Sequence, residues 1–173
     1  MNNMIRGLLS IFLCAVMSCH AAPLNRGQVR LVQQGETDVT STFGKINVSV
    51  KIVTHEVDIG KPSDGRPKKN LSSCTYSHFP CVVVDNIEIS VNGIDLYVAR
   101  SIYADLADLE NANLRQKKGG QFVLALRGGD ASESYTVEIT FDKKSVKKRE
   151  VMSNLNAQIM QRTDYFPSQS MDE

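Results

Sequence analysis

The sequence predicts an α+β domain, mostly antiparallel β-sheet with one short helix at residues 101–111. A two-layer β-sandwich with a helical insertion is the alternative. Three observations lead there. Apolar and polar residues alternate with period two in several separated runs, the pattern of half-buried strands. Asn92-Gly93 sits between two such runs, the strongest short-range hairpin signal. Only the stretch 101–111 changes to helical spacing, with Ile102, Leu106 and Leu109 four and three apart. Hairpins joined by short turns, with a single helix among them, favour antiparallel pairing.

The elements follow in order. Residues 1–6 are polar with one positive charge, 7–17 are nearly all apolar, and Ser18-Cys19-His20-Ala21-Ala22 is rich in small residues. This is the layout of a secretory signal peptide over 1–22. Its apolar core of about eleven residues is too short to span the ~30 Å of a bilayer as a helix. A periplasmic or secreted chain is therefore expected. Val16-Met17-Ser18-Cys19 also resembles a bacterial lipobox. Lipidation of Cys19 would anchor the chain in the cell envelope, and a membrane is an expected partner only in that case.

Residues 23–42 read as an irregular leader with at most a weak strand at 29–32. A single β-rich domain is expected over 43–151. Its first strand covers 45–53, where Ile46, Val48, Val50 and Ile52 alternate with polar residues. The apolar phase then shifts to Val57 and Ile59, which calls for a bulge near Thr54-His55. Residues 60–73, with Pro62, Gly65 and Pro67, form a loop. Around Asn92-Gly93 a two-residue turn would pair Val91 with Ile94, Ile89 with Leu96, and Ile87 with Val98. In the helix, Ser101 is the expected N-cap. Residues 114–117, 122–126, 135–141 and 146–151 read as further strands, with 122–126 central because it is apolar on both sides. The tail 152–173 is expected to be partly disordered, with Tyr165-Phe166-Pro167 as a docking edge piece.

Composition limits the function. The chain carries 20 basic and 19 acidic side chains, and removing Arg6 with the leader leaves a formal charge of zero. No basic surplus points to nucleic acid as a partner. No further apolar run is long enough for a membrane span. There is no G-x-S-x-G, H-E-x-x-H or Walker A motif, and neither a cofactor nor a metal site is expected. His55 and His78 are the histidines left after the leader. His55, beside Glu56, reads as an ordinary bulge residue.

Three segments carry the candidate site. Without the leader the cysteines are Cys74 and Cys81, one expected disulfide in an oxidising compartment. The loop they close concentrates Tyr76, His78 and Phe79, and a clamped aromatic loop gives contact area at low ordering cost. This arrangement resembles the disulfide-closed, histidine-bearing loop of periplasmic inhibitors of vertebrate-type lysozymes, with a spacing two residues longer. The resemblance implies a loop that enters an acidic cleft of a partner enzyme. The second segment, 128–134, offers Gly129, Asp130 and Ser132, with Glu133, as a recognition tip, an oxygen-rich cation site or a plain hairpin turn. The third is the basic hairpin with Lys143, Lys144, Lys147, Lys148 and Arg149, either a patch for an acidic partner or a solvated edge. The expected function is an exported small binding protein that docks on a protein partner, as an inhibitor or immunity-type factor, and not an enzyme. The alternatives are a small exported hydrolase or cation-dependent enzyme, and a structural envelope component.

Overall fold

The computed structural model describes residues 29–61, 63, 74–75 and 78–166. The expected leader with Cys19, most of the loop after Gly60, Tyr76 and the last residues from 167 lie outside the described residues. Strands β1 (Val29–Leu31), β2 (Gly35–Phe43), β3 (Ile46–Val57), β4 (Cys81–Val91) and β5 (Ile94–Leu96) come first in the chain. Strands β6 (Leu109–Lys117), β7 (Gln121–Gly128), β8 (Tyr135–Phe141), β9 (Val146–Ser153) and β10 (Ile159–Asp164) follow. They form two antiparallel sheets, in the orders β1-β6-β7-β8-β9-β10 and β2-β3-β4-β5.

Alternation sets the core. Val48, Val50 and Ile52 of β3 and Ile87, Ile89 and Val91 of β4 point to one side. Leu124, Leu126, Val137 and Ile139 meet them from the larger sheet in one apolar cluster. Phe43 lies 5.5 Å from Phe122, and Phe122 lies 5.7 Å from Phe141, which ties β2, β7 and β8 together. At the hairpin, Asn92 and Gly93 have φ of 53° and 78°, the left-handed pair that a type I′ turn requires. Val91 faces Ile94 and Ile89 faces Leu96 as expected. Strand β5 stops there, so Ile87 does not pair with Val98, and Ile94 is exposed.

The helix at 101–111 does not form. Residues Arg100–Ile102 make one 3-10 turn, and Leu109 already begins β6. Ile102, Leu106 and Leu109 do reach the core, but Tyr103, Ala107 and Asp108 are buried too. Ser101, Ala104 and Asp105 stay exposed, but every residue from Leu106 to Leu109 is buried, which no single helical face allows. The segment is an irregular crossing between the sheets, held in part by local turn bonds such as Ala104 N–H to the Arg100 carbonyl and in part from outside. Arg149 Nε donates to the Ile102 carbonyl at 3.0 Å. The Tyr135 hydroxyl donates to the Ala107 carbonyl and accepts from its N–H. Val84 N–H donates to the Leu106 carbonyl. Beyond the turn at Arg100–Ala104, these bonds stand where a helix would continue its i→i−4 ladder. Ser101 caps nothing, and its hydroxyl sits 3.4 Å from that of Tyr165.

The structure also extends the sheets into both flanks. Residues 35–42, read as irregular leader, form with Phe43 a nine-residue strand paired with β3 from Gly35↔Thr54 to Phe43↔Ile46. Residues 159–164 of the tail pair with β9. The expected bulge falls at Val53/Thr54, but the extra residue is Asp85 on the partner strand β4.

The outer face of the larger sheet is a lattice of charges. Arg115 of β6 reaches Glu138 of β8 across β7, over the buried Val123. Glu150 of β9 pairs with Lys148 and with Arg162 of β10. The Lys148 ammonium, and then the Arg162 guanidinium, hold the Glu150 carboxyl below its ordinary 4.5 against the opposing effect of burial. A carboxyl that holds its proton less tightly when folded stabilises the fold above about pH 4.5, and that stabilisation is lost as pH falls through the lowered value. The stability difference between the wild type and Glu150→Gln should therefore shrink as urea midpoints are taken from about pH 7 to about pH 3. An unchanged difference would count against this ion pair as an acid-sensitive contact.

Candidate functional site

The two loops singled out from the sequence meet at one end of the sandwich. Cys74 and Cys81 are bonded, with Cα atoms 5.6 Å apart. Cys81 is fully buried and packs with Ile59 and Ala107, while Phe79, Val57 and Val83 lean on the same cluster. The clamp is thus seated against the sandwich. What seats it is Asp108, whose side chain is 1% exposed. One carboxylate oxygen accepts from Thr75 N–H at 2.8 Å and the other from Val82 N–H at 2.9 Å, one bond beside each cysteine. His78 Nδ1 stands 3.8 Å from the same carboxylate. Asp108 has φ of 49°, a left-handed conformation that Asp tolerates better than most residues.

The same residue holds the second loop. The Asp108 carbonyl accepts from Gly129 N–H at 3.1 Å. The loop then makes a short 3-10 turn over Ala131–Glu133. Gly129 has φ of 72°, and a side chain there would overlap the Glu133 carbonyl oxygen. At Gly128 an added Cβ would stand 2.8 Å from the Tyr135 hydroxyl, so the bare backbone is what lets Tyr135 reach Ala107. Burial pushes the Tyr135 hydroxyl up to about 12, with the bond to Ala107 opposing that shift, so it stays a neutral donor.

Between the loops lies a cavity of about 220 Å³. Cys74 and Thr75 line it from the clamped loop, Glu133 from the second loop, Asp105 and Leu106 from the crossing, and Tyr135 and Arg149 from the sheet. The Arg149 side chain is 1% exposed and binds in three directions. Nε takes the Ile102 carbonyl, Nη1 takes Gln161 Oε1 at 2.7 Å, and Nη2 takes both Asp105 oxygens at 2.7 Å. The Thr75 hydroxyl is buried with no partner among the described residues.

The other sequence candidates are dispersed. Gly129 is buried inside its turn, whereas Asp130 and Ser132 are exposed at the tip. Phe79 packs on the small cluster and His78 is about half exposed. Lys147 pairs with Asp142 and Lys148 with Glu150, away from the cavity. Arg149 departs from its expected place in a solvated basic edge, because β9 is flanked by β8 and β10 and turns this side chain inward. His55 does not join His78, since its Nδ1 lies 2.7 Å from Asp85, the bulge residue of β4. Among the described residues no three His, Cys, Asp or Glu side chains group to hold a metal ion, and no helix is long and apolar enough to cross a membrane. Asp108 was not legible as a site residue, and Arg149 only as part of a basic hairpin, since their side-chain partners lie 12 to 47 positions away. Comparison with family models, with curated proteins and with solved structures finds no match for this chain.

Proposed function

We propose that this chain is an exported binding protein that docks on a protein partner through the end of the sandwich where the clamped loop and the 128–134 loop meet. One observation carries the reading. Asp108 stitches both loops to the same framework, so two segments distant in sequence present one surface around one cavity. Rigid loops on a β scaffold suit recognition, because little ordering entropy remains to be lost on docking. The half-exposed His78 and the exposed Asp130, Ser132 and Glu133 supply polar contacts around that surface. A periplasmic or secreted setting, or a lipid anchor at Cys19, agrees with a bonded cysteine pair.

The test is capture from envelope extract on the immobilised chain, repeated with Ser132→Arg, with Cys74→Ser plus Cys81→Ser, and with Lys118→Glu. Lys118 lies beyond the start of β7, at the opposite end of the strand from Gly128. Binding of the captured partner should fall at least about tenfold in the first two variants, a loss of about 1.4 kcal/mol, and stay unchanged in the third. Equal retention by all three would place the docking surface elsewhere. No capture by the wild-type chain would remove the reading.

A further inference from the structure

Strand β10 is the outermost strand of the larger sheet, and all its residues except Thr163 are exposed. Among the described residues no strand pairs with its outer edge. Tyr165 N–H donates to the Lys147 carbonyl at 2.8 Å, so the odd-numbered residues here turn their backbone groups toward β9. By the alternation of an antiparallel ladder, Arg162 and Asp164 turn their N–H and C=O groups outward. Such an edge is a template for another strand.

We propose that the occupant is a second copy of this chain, which pairs β10 with β10 antiparallel about a two-fold axis through Thr163. The charges select this register. With Arg162 on the axis, two guanidinium groups face each other; with Asp164 on the axis, two carboxylates do. With Thr163 on the axis, Arg162 faces Asp164 of the second copy, and the pair occurs twice by symmetry. Inside one chain Asp164 already faces Lys148, and Arg162 faces Glu150. The seam therefore continues two rows of alternating sign: Lys148 and Asp164, then Arg162 and Glu150 of the second copy, and the reverse. Opposite charges directly across strands stabilise a ladder and like charges oppose it. The long edge strand β2 has no such complement, because its charged residues Glu36 and Asp38 are both acidic. The proposal goes beyond the docking reading, and its test reads mass rather than partner capture.

Sedimentation velocity of the full chain decides it, up to about 0.1 mM because a seam of one strand buries little area. The wild type should dimerise, less so at high salt because exposed charges are screened. Arg162→Asp and Asp164→Arg should each be monomeric, since each faces like charge with like across the axis. Their equimolar mixture should dimerise, because each variant then supplies the charge the other lacks. Circular dichroism checks that both variants fold. If either does not, Thr163→Cys takes its place: residues facing across a non-hydrogen-bonded pair stand ~4.5 Å apart, within disulfide reach, so oxidation should cross-link two chains. A monomeric wild type, variants that dimerise as the wild type does, a mixture that stays monomeric, or no cross-link would each overturn the proposal. A monomeric wild type would leave the edge for a strand of a different protein.

Discussion

Arg149→Met is expected to lower the stability of the chain by about 3–5 kcal/mol, the usual cost of breaking a buried, hydrogen-bonded charge from one side. The side chain is 1% exposed, and its guanidinium bonds three groups at once. It holds the crossing at Ile102, the carboxylate of Asp105, and Gln161 of β10. Met fills much of the volume but satisfies none of them, and the Ile102 carbonyl is left buried without its donor. Arg149→Lys should recover only part of the loss, because one ammonium cannot serve three fixed directions as a planar guanidinium does. Asp105→Asn should cost less, about 1–2 kcal/mol, since Asn still accepts one bond and water reaches this half-exposed side chain. Urea unfolding followed by far-ultraviolet circular dichroism reads all three. If Arg149→Met cost under about 1 kcal/mol, as an exposed ion pair would, the guanidinium would not be what holds the crossing.

That crossing marks where the sequence stops being legible. Strands β3, β4 and β8 could be read because each buries one face, and burial imposes period two. The hairpin could be read because Asn-Gly determines the turn and the apolar register agrees with it. Residues 101–108 show helical spacing at Ile102 and Leu106, yet spacing reports only which side chains are buried. It does not report where the backbone bonds go. Here, past a first local turn, they go to Arg149, Tyr135 and strand β4, whose positions in the fold no local pattern encodes. Strand β2 was missed for the opposite reason: its buried residues are Thr37, Val39 and Phe43, too few apolar groups to show a period. Strand β10 was missed because it buries almost nothing and exists through its ladder with β9. The loops of the candidate site were legible as loops, from a cysteine pair and a Gly-Gly-Asp turn. Their meeting was not, because it runs through Asp108, placed by sequence spacing inside a helix.

Asp108→Ala is expected to cost about 2–4 kcal/mol, from two buried N–H groups left without an acceptor at about 1–3 kcal/mol each and a left-handed backbone that Ala adopts less readily than Asp. The two donors, Thr75 and Val82, flank the disulfide, so the sulfur bond keeps the loop closed while nothing seats it on the sandwich. Hydrogen exchange should accelerate at Thr75, at Val82, and at Gly129, whose N–H bonds the Asp108 carbonyl. Asp108→Asn separates seating from folding. Asn tolerates the left-handed conformation and keeps one acceptor oxygen, but it turns an amide N–H₂ toward the other donor. A smaller loss of stability is expected, with one of the two backbone N–H groups unbonded and the loop displaced. If the docking surface is the joined pair of loops, Asp108→Asn should weaken partner capture more than a stability loss of that size can explain, because the folded molecule then presents the two loops out of step. If capture tracks stability alone across Asp108→Asn, Asp108→Ala and Arg149→Met, the partner senses only whether the chain is folded, and the joined loops are a structural end-cap of the sandwich.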